Sequence, residues 1–162
     1  MIADLVSSGT TLRDNHLRPL DDGEILSSQA ALIANREALQ TRPDVLAVAR
    51  QLLEYIEAHL RGEGSNLVIA NMRGRSAPDI VKAMAGRPTI GGLQGPTVAP
   101  VIPPPGSSEQ WFSVSIVVQK ANLMPAIAEL RAIGGSGVIV SPITYIFEEE
   151  PERYKAMLAA LN

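Results

Sequence analysis

Trp111-Phe112-Ser113-Val114-Ser115-Ile116-Val117-Val118 is the stretch on which the reading of this chain turns. Phe112, Val114, Ile116 and Val118 alternate with Trp111, Ser113, Ser115 and Val117, the two-residue period of a strand that buries one face. Downstream, Asn122 caps a predicted helix over residues 122–133 that carries Leu123, Ile127 and Leu130 inward. Gly134-Gly135 stops it, and residues 138–140 followed by 143–147 supply a last strand. Upstream, Pro103-Pro104-Pro105-Gly106 makes a turn after Pro96-Thr97-Val98-Ala99-Pro100-Val101, which reads as an edge strand because its prolines cannot donate ladder hydrogen bonds. Before that, residues 76–85 read as a helix with Ser76 as cap, Pro78 in the first turn and Asp79 at the third position, and residues 67–72 as the first strand. Strand, helix, strand, strand, helix, strand is the order of a split βαβ, or ferredoxin-like, α+β domain. A short helix over 151–161 follows it.

Residues 43–60 form the clearest helical pattern of the N-terminal part. Val45, Ala49, Leu52, Leu53, Ile56 and Leu60 recur at spacings of three and four, so one apolar stripe is expected. Thr41 and Asp44 resemble a capping box, Pro43 lies in the first turn, and Gly62 follows the expected end. Gly62-Glu63-Gly64-Ser65 then reads as a linker, which places a boundary between residues 1–63 and 64–162. The segment 24–35 is mostly apolar and fits strand or helix by pattern alone, with strand preferred. At the N-terminus, Met1-Ile2-Ala3-Asp4-Leu5-Val6 reads as a strand that would need neighbours on both sides.

With 46% hydrophobic residues, 162 residues can bury a real core. A formal charge of −3, with its 14 Lys and Arg scattered, argues against nucleic acid as a partner, since duplex binding runs on clustered positive charge. No cysteine means no disulfide, thiol nucleophile or thiolate metal site, and His16 and His59 are the only imidazoles. No apolar run approaches a membrane span, so a cytoplasmic, non-membrane protein is expected.

Ser7-Ser8-Gly9-Thr10-Thr11, leading into a helix start at Leu12-Arg13-Asp14-Asn15, is the stretch with chemical content. A glycine turn lets consecutive amide hydrogens converge on one point, and the hydroxyls of Ser8, Thr10 and Thr11 add donors, which together suit a phosphate. Asp4 could bind a sugar hydroxyl or a Mg2+ shell. The plainer alternative is a turn with an N-cap. Met72-Arg73-Gly74-Arg75-Ser76 sets two arginines beside a helix start, as an anion site, a solvated turn or an intersubunit contact. Glu148-Glu149-Glu150 reads as a solvated acidic run, and His16 as a surface residue. For His59 the reading is a cation near a helix C-terminus, and for Trp111 a partly buried anchor.

Ile2-x-Asp4-Leu5-x-x-Ser8-Gly9-x-Thr11-Leu12 resembles the downstream half of the signature of ATP phosphoribosyltransferases. The resemblance continues through Glu24-Ile25-Leu26-Ser27-Ser28-Gln29-Ala30, Ala70-Asn71-Met72-Arg73-Gly74, Gly92-Leu93-Gln94-Gly95-Pro96-Thr97-Val98 and Gly134-Gly135-Ser136-Gly137-Val138-Ile139-Val140-Ser141-Pro142. The later stretches are most similar to the plant-type branch of the long-form family. The resemblance implies that residues 1–63 are the remainder of a periplasmic-binding-protein-like catalytic lobe, and 64–162 an ACT-like regulatory domain. It further implies that Ser8, Gly9, Thr10 and Thr11 grip the 5-phosphate of phosphoribosyl pyrophosphate while Asp4 faces the ribose. The family joins N1 of ATP to C1 of the phosphoribosyl group and releases pyrophosphate with Mg2+ present. Feedback by L-histidine at the regulatory domain is implied as well, with Asn71, Met72, Thr97 and Ser141 as candidate contacts, and assembly into homo-oligomers, hexamers in the family. The chain starts inside the signature, so one wall of the pocket and no turnover by the isolated chain are expected. The rival expectation is a stand-alone ACT-like module that binds histidine, with residues 1–63 as an arm.

Overall fold

The computed structural model describes residues 6, 9–103, 105, 106 and 108–162. Its sheet is built around the alternating strand: in β3 (Trp111–Gln119), Phe112, Val114, Ile116 and Val118 are buried, as expected. Its neighbour β1 (Ser65–Arg73) buries Val68, Ala70 and Met72 on the same side, and the register pairs Val68 with Ile116, Ala70 with Val114 and Met72 with Phe112. With β2 (Thr97–Val101) and β4 (Gly135–Pro142) the antiparallel sheet has the order β2-β3-β1-β4. That order and the crossovers through α4 (Ala77–Met84) and α5 (Leu123–Ala132) give the ferredoxin-like topology expected from the sequence. Ile80 and Met84 of α4, Ile90, and Ala126 and Leu130 of α5 close the core over the sheet, with Leu123 packed at its margin.

Local chemistry explains the helix boundaries. Ser76 takes an extended backbone and its hydroxyl accepts from the Asp79 amide at 3.3 Å, so α4 starts where the capping signal places it. At α5, Asn122 occupies the cap position but its side chain makes no capping bond. The long helix α3 (Pro43–Glu63) has Arg42 at its N-cap, also without a side-chain cap. The expected capping box is absent there because Thr41 ends a short preceding helix, α2 (Arg36–Thr41), and donates its hydroxyl to the Glu37 carbonyl at 2.8 Å. Gly62 lies within α3 rather than past it, Gly64 is the C-cap, and β1 begins at the next residue, so the expected linker is a single residue.

The apolar stripe of α3 is also placed differently from expectation. Glu57, Ala58 and Gly62 are its buried residues, while Leu52, Ile56 and Leu60 of the expected stripe are exposed. Glu57 is covered by α6 (Glu152–Leu161), which packs on α3 and sets Arg153 against it, while residues 143–147 lie against Ala58 and Gly62. Residues 143–147 do not continue the last strand. Pro142 ends β4, the Ile143 amide bonds the Ser65 carbonyl, and the Ile146 amide bonds the Ala58 carbonyl of α3 at 2.9 Å. The chain therefore turns back along α3 instead of extending the sheet.

By its contacts the chain divides into residues 1–35 and 36–162. The first unit contains α1 (Thr10–Asp14) and a turn in which the Gly23 amide bonds the Leu20 carbonyl at 3.0 Å. Residues 24–35, where a strand is preferred from the sequence, are irregular and pair with no strand among the described residues, leaving Ile25, Leu26 and Ile33 almost fully exposed. The predicted strand before Val6 lies outside the described residues. Among the described residues no helix is long and apolar enough to cross a membrane.

Candidate functional site

Gly9 adopts φ +71°, the left-handed region that a residue with a Cβ rarely enters, and its carbonyl accepts from the Arg13 amide at 3.1 Å. The glycine thus turns the chain into α1, and the first-turn amides of Thr10, Thr11 and Leu12 point towards the helix start. Thr10 and Thr11 are exposed, and Asn15 donates from its side chain to the Thr11 carbonyl at 2.9 Å. Arg13 brings a guanidinium to the loop by donating to Thr10 Oγ1 at 3.3 Å. The sequence reading overlooked that cation, and the signal for it was its spacing of three from Thr10 on a helix. Gly9, Thr10 and Thr11 therefore stand together; Asp4 and Ser8 lie outside the described residues.

The effector candidates lie on the sheet. Thr97 pairs with Ser115, which pairs with Ile69, and Ile69 pairs with Ile139; one row down, Ala99, Ser113, Asn71 and Ser136 form the next. Ser141 pairs with Leu67, beside Val117. Asn71, Thr97 and Ser141 consequently share the face opposite the helices, and all three are exposed. Met72 is on the other face, 1% exposed in the core, which leaves only its backbone to any ligand on the open face. Thr97 and Ser141 are on opposite edge strands, three strand spacings and two residues along the strand apart, about 16 Å in all, and Asn71 is about 13 Å along β1 from the Ser141 row. The three are not one cluster.

At the far end of the same face Arg73 stacks on Trp111, 4.7 Å from the ring centroid, and pairs with Glu109 at 3.3 Å. Arg75 pairs with Asp79 at 3.5 Å. Both arginines thus have partners within the chain. Glu148 pairs with Arg61, Glu150 with Lys155, and His59 lies 5.8 Å from the Tyr145 ring. A cleft of about 810 Å³ opens beside the C-terminal end of β3, bordered by Leu60, Pro88, Leu93, Gln119 and Asn122. Among the described residues no three histidine, aspartate or glutamate side chains are grouped to hold a metal ion.

Two family models cover the chain in succession: ATP phosphoribosyltransferase over residues 1–58 and the HisG C-terminal domain over residues 62–145. The chain belongs to the ATP phosphoribosyltransferase family. Within that family it is 44% identical, over 99% of its length, to ATP phosphoribosyltransferase 2, chloroplastic, of Arabidopsis thaliana, of which it covers 40%. It is 36% identical to the ATP phosphoribosyltransferase of Methanothermobacter thermautotrophicus, covering 90% of this chain and 46% of that one. With the Halobacterium salinarum member of the ATP phosphoribosyltransferases it shares 37% identity over 88% of this chain and 44% of that one. The chain thus spans less than half the length of these curated relatives. The succession of the two models also fits the resemblance seen in the sequence, and the HisG C-terminal model coincides with the ferredoxin-like sheet from β1 to β4.

Proposed function

We propose that this chain serves phosphoribosyl transfer to ATP, the first step of histidine biosynthesis, by supplying the loop that holds the sugar phosphate and the domain that senses the end product. The observation that carries the proposal is the order of the two family matches, the catalytic one over the glycine loop and the regulatory one over the ferredoxin-like sheet. Joining N1 of ATP to C1 of the ribose, with pyrophosphate leaving, asks for positioning and charge neutralisation rather than a nucleophilic triad. In this reading the amides and hydroxyls of residues 8–11 hold the 5-phosphate, Arg13 adds a positive charge beside Thr10, and Asp4 faces the ribose. Mg2+ arrives on the pyrophosphate group, where it characteristically keeps waters and phosphate oxygens as ligands.

In the same reading L-histidine binds residues 64–162 and shifts the population of the assembled enzyme towards a less active arrangement. A ligand of its size reaches one of Asn71, Thr97 and Ser141, not all three, given the spacing across the sheet. Residues 1–63 then belong functionally to the catalytic region and 64–162 to the regulator, in a cytoplasmic homo-oligomer, with no turnover by the 162-residue chain alone. A second reading, a histidine-binding module that acts without catalysis, draws support from the separate contact unit formed by residues 36–162.

Calorimetric titration of the chain with L-histidine, and separately with phosphoribosyl pyrophosphate plus Mg2+, tests both. Heat with both ligands is the expected result, and Thr11→Val should weaken only the phosphate ligand. Histidine binding alone would favour the second reading, and binding of neither would overturn both. Pyrophosphate release by the chain alone would refute the expected lack of turnover.

A further inference from the structure

Gly64 is the whole chain connection between α3 and the sheet, since α3 ends at Glu63 and β1 begins at Ser65. One residue brings only two soft dihedrals, yet a helix held at one point can swing about it. Three hydrogen bonds close on this joint. The Ser65 hydroxyl donates to the Arg61 carbonyl at 3.1 Å, the Lys120 amide to the Gly64 carbonyl at 2.9 Å, and the Ile143 amide to the Ser65 carbonyl at 3.3 Å. All three act within a turn of the pivot, so they have a short lever arm against a swing of the helix.

The C-terminal segment supplies the longer arm. It leaves β4 at Pro142 and runs back along α3, where Gly62 has no side chain to meet the Thr144 backbone and the Ile146 amide bonds the Ala58 carbonyl at 2.9 Å. Further along, the Arg153 amide of α6 donates to Glu57 at 2.8 Å, and the Arg50 guanidinium lies 5.4 Å from the centroid of the Tyr154 ring. Gln40 of α2 then donates to the Leu161 carbonyl at 2.7 Å. From Gly62 to Arg50 the attachments span about 18 Å of helix. The Arg61–Glu148 pair at 3.2 Å is partly exposed and adds little. Glu57 and Tyr154, 6% and 7% exposed, hold the segment where water is excluded.

We propose that residues 143–162 are a strap that holds α3 and the sheet as one rigid piece, so that a displacement of the sheet is carried whole into α2 and α3. Both helices, as far as residue 58, fall in the ATP phosphoribosyltransferase match, and the sheet falls in the HisG C-terminal match. The strap therefore starts from the last strand of the regulatory match and ends on helices of the catalytic one. Its rigidity follows from the attachments and needs no ligand. Its use in feedback rests on the functional reading above, where it gives a ligand bound at the sheet a mechanical route to the catalytic region.

Residual dipolar couplings of the full chain, in wild type and Tyr154→Ala, test it. Wild-type amides of α3, β1 and β3 should fit a single alignment tensor. Tyr154→Ala should need two, one for the helix and one for the sheet, while the sheet couplings still fit the sheet and so show that the variant folds. Exchange at residues 153–157 should then be faster on the order of a hundredfold, as loss of a buried ring implies. Amide exchange of the unmodified chain keeps the test open if Tyr154→Ala misfolds: the Lys120 amide at the joint should open with residues 153–157, with one denaturant dependence. Two tensors in wild type, one tensor in folded Tyr154→Ala, or a Lys120 amide that stays closed when α6 opens would each overturn the proposal. A single wild-type tensor without heat from L-histidine would sink the functional reading alone.

Discussion

Replacing Gly62 by alanine sets two effects of opposite sign against each other. Gly62 lies in the last turn of α3, where alanine gains about 1 kcal/mol over glycine by helix propensity alone. A Cβ at this position, however, would stand 2.5 Å from the Thr144 carbonyl oxygen, 2.6 Å from its carbon and 2.7 Å from the Tyr145 nitrogen. Those are backbone atoms and cannot rotate away, so residues 143–147 must move outward by about 1 Å to restore ordinary contact. The movement pulls on the Ile146 amide, bonded to the Ala58 carbonyl at 2.9 Å, and on the packing of Tyr145 against Tyr55. Overpacking of this kind costs about 1–3 kcal/mol, and the weakened hydrogen bond adds about 1. After the propensity gain is subtracted, Gly62→Ala should lose about 2 kcal/mol, a fall in the unfolding midpoint of about 4–8 °C for a chain of this size. Thermal unfolding by circular dichroism reads the midpoint, and amide exchange at Ile146 should accelerate. A Gly62→Ala midpoint equal to or above wild type would show that the loop does not lie against the helix as described.

Ser76→Ala removes the cap of α4 and should cost about 1 kcal/mol in chemical denaturation, whereas Ser76→Asp should retain most of it. Glu57 accepts from the Arg153 amide at 2.8 Å and from its guanidinium at 3.2 Å while 6% exposed. Glu57→Ala should cost about 2 kcal/mol and speed amide exchange in the first turn of α6; unchanged exchange there would refute the linkage. The Arg42 guanidinium, 2.7 Å from Asp44, holds that carboxyl below the ordinary aspartate value. Because the folded value is the lower one, the contribution is present above the unfolded pKa and is lost as pH falls through the folded one. A carboxyl-detected titration should show the depression, Arg42→Ala should remove it, and added salt should shrink it since both groups are exposed.

Much of the fold was legible because single residues carried unambiguous physics. The serine spacing in β3 fixed which face is buried, Pro100 placed β2 at an edge, and Ser76 with Asp79 set the start of α4. Residues 143–147 misled because branched and aromatic composition marks a strand only where a partner ladder is available. Here the backbone bonds α3 instead, and the cause, a glycine in the helix it lies against, is eighty positions upstream. Residues 24–35 misled in the same way: their apolar pattern fits a strand, and no described strand pairs with them. In the loop, the turning glycine was legible from Ser-Gly-Thr, but the approach of Arg13 to Thr10 was not, since it needs the helical turn that brings the two side chains together.

The face of α3 illustrates a deeper limit. Its apolar residues cover more than half the helix circumference, so periodicity cannot say which stripe faces inward. The buried stripe turns out to contain a glutamate, a choice that pattern alone disfavours, because Glu57 bonds the first turn of a helix nearly a hundred residues away. With Glu57 inward, Leu52, Tyr55 and Ile56 are exposed, and Tyr55 meets Tyr145 and Phe147 edge-on. Buried Glu57, paired with the half-exposed Arg153, and the exposed aromatic patch thus lie on different sides of α3. If Glu57→Ala lets α3 roll, amide exchange at Ile146, bonded to the neighbouring Ala58 carbonyl, should accelerate in parallel with the loosening of α6, and exchange of that variant joins the two observations in one measurement.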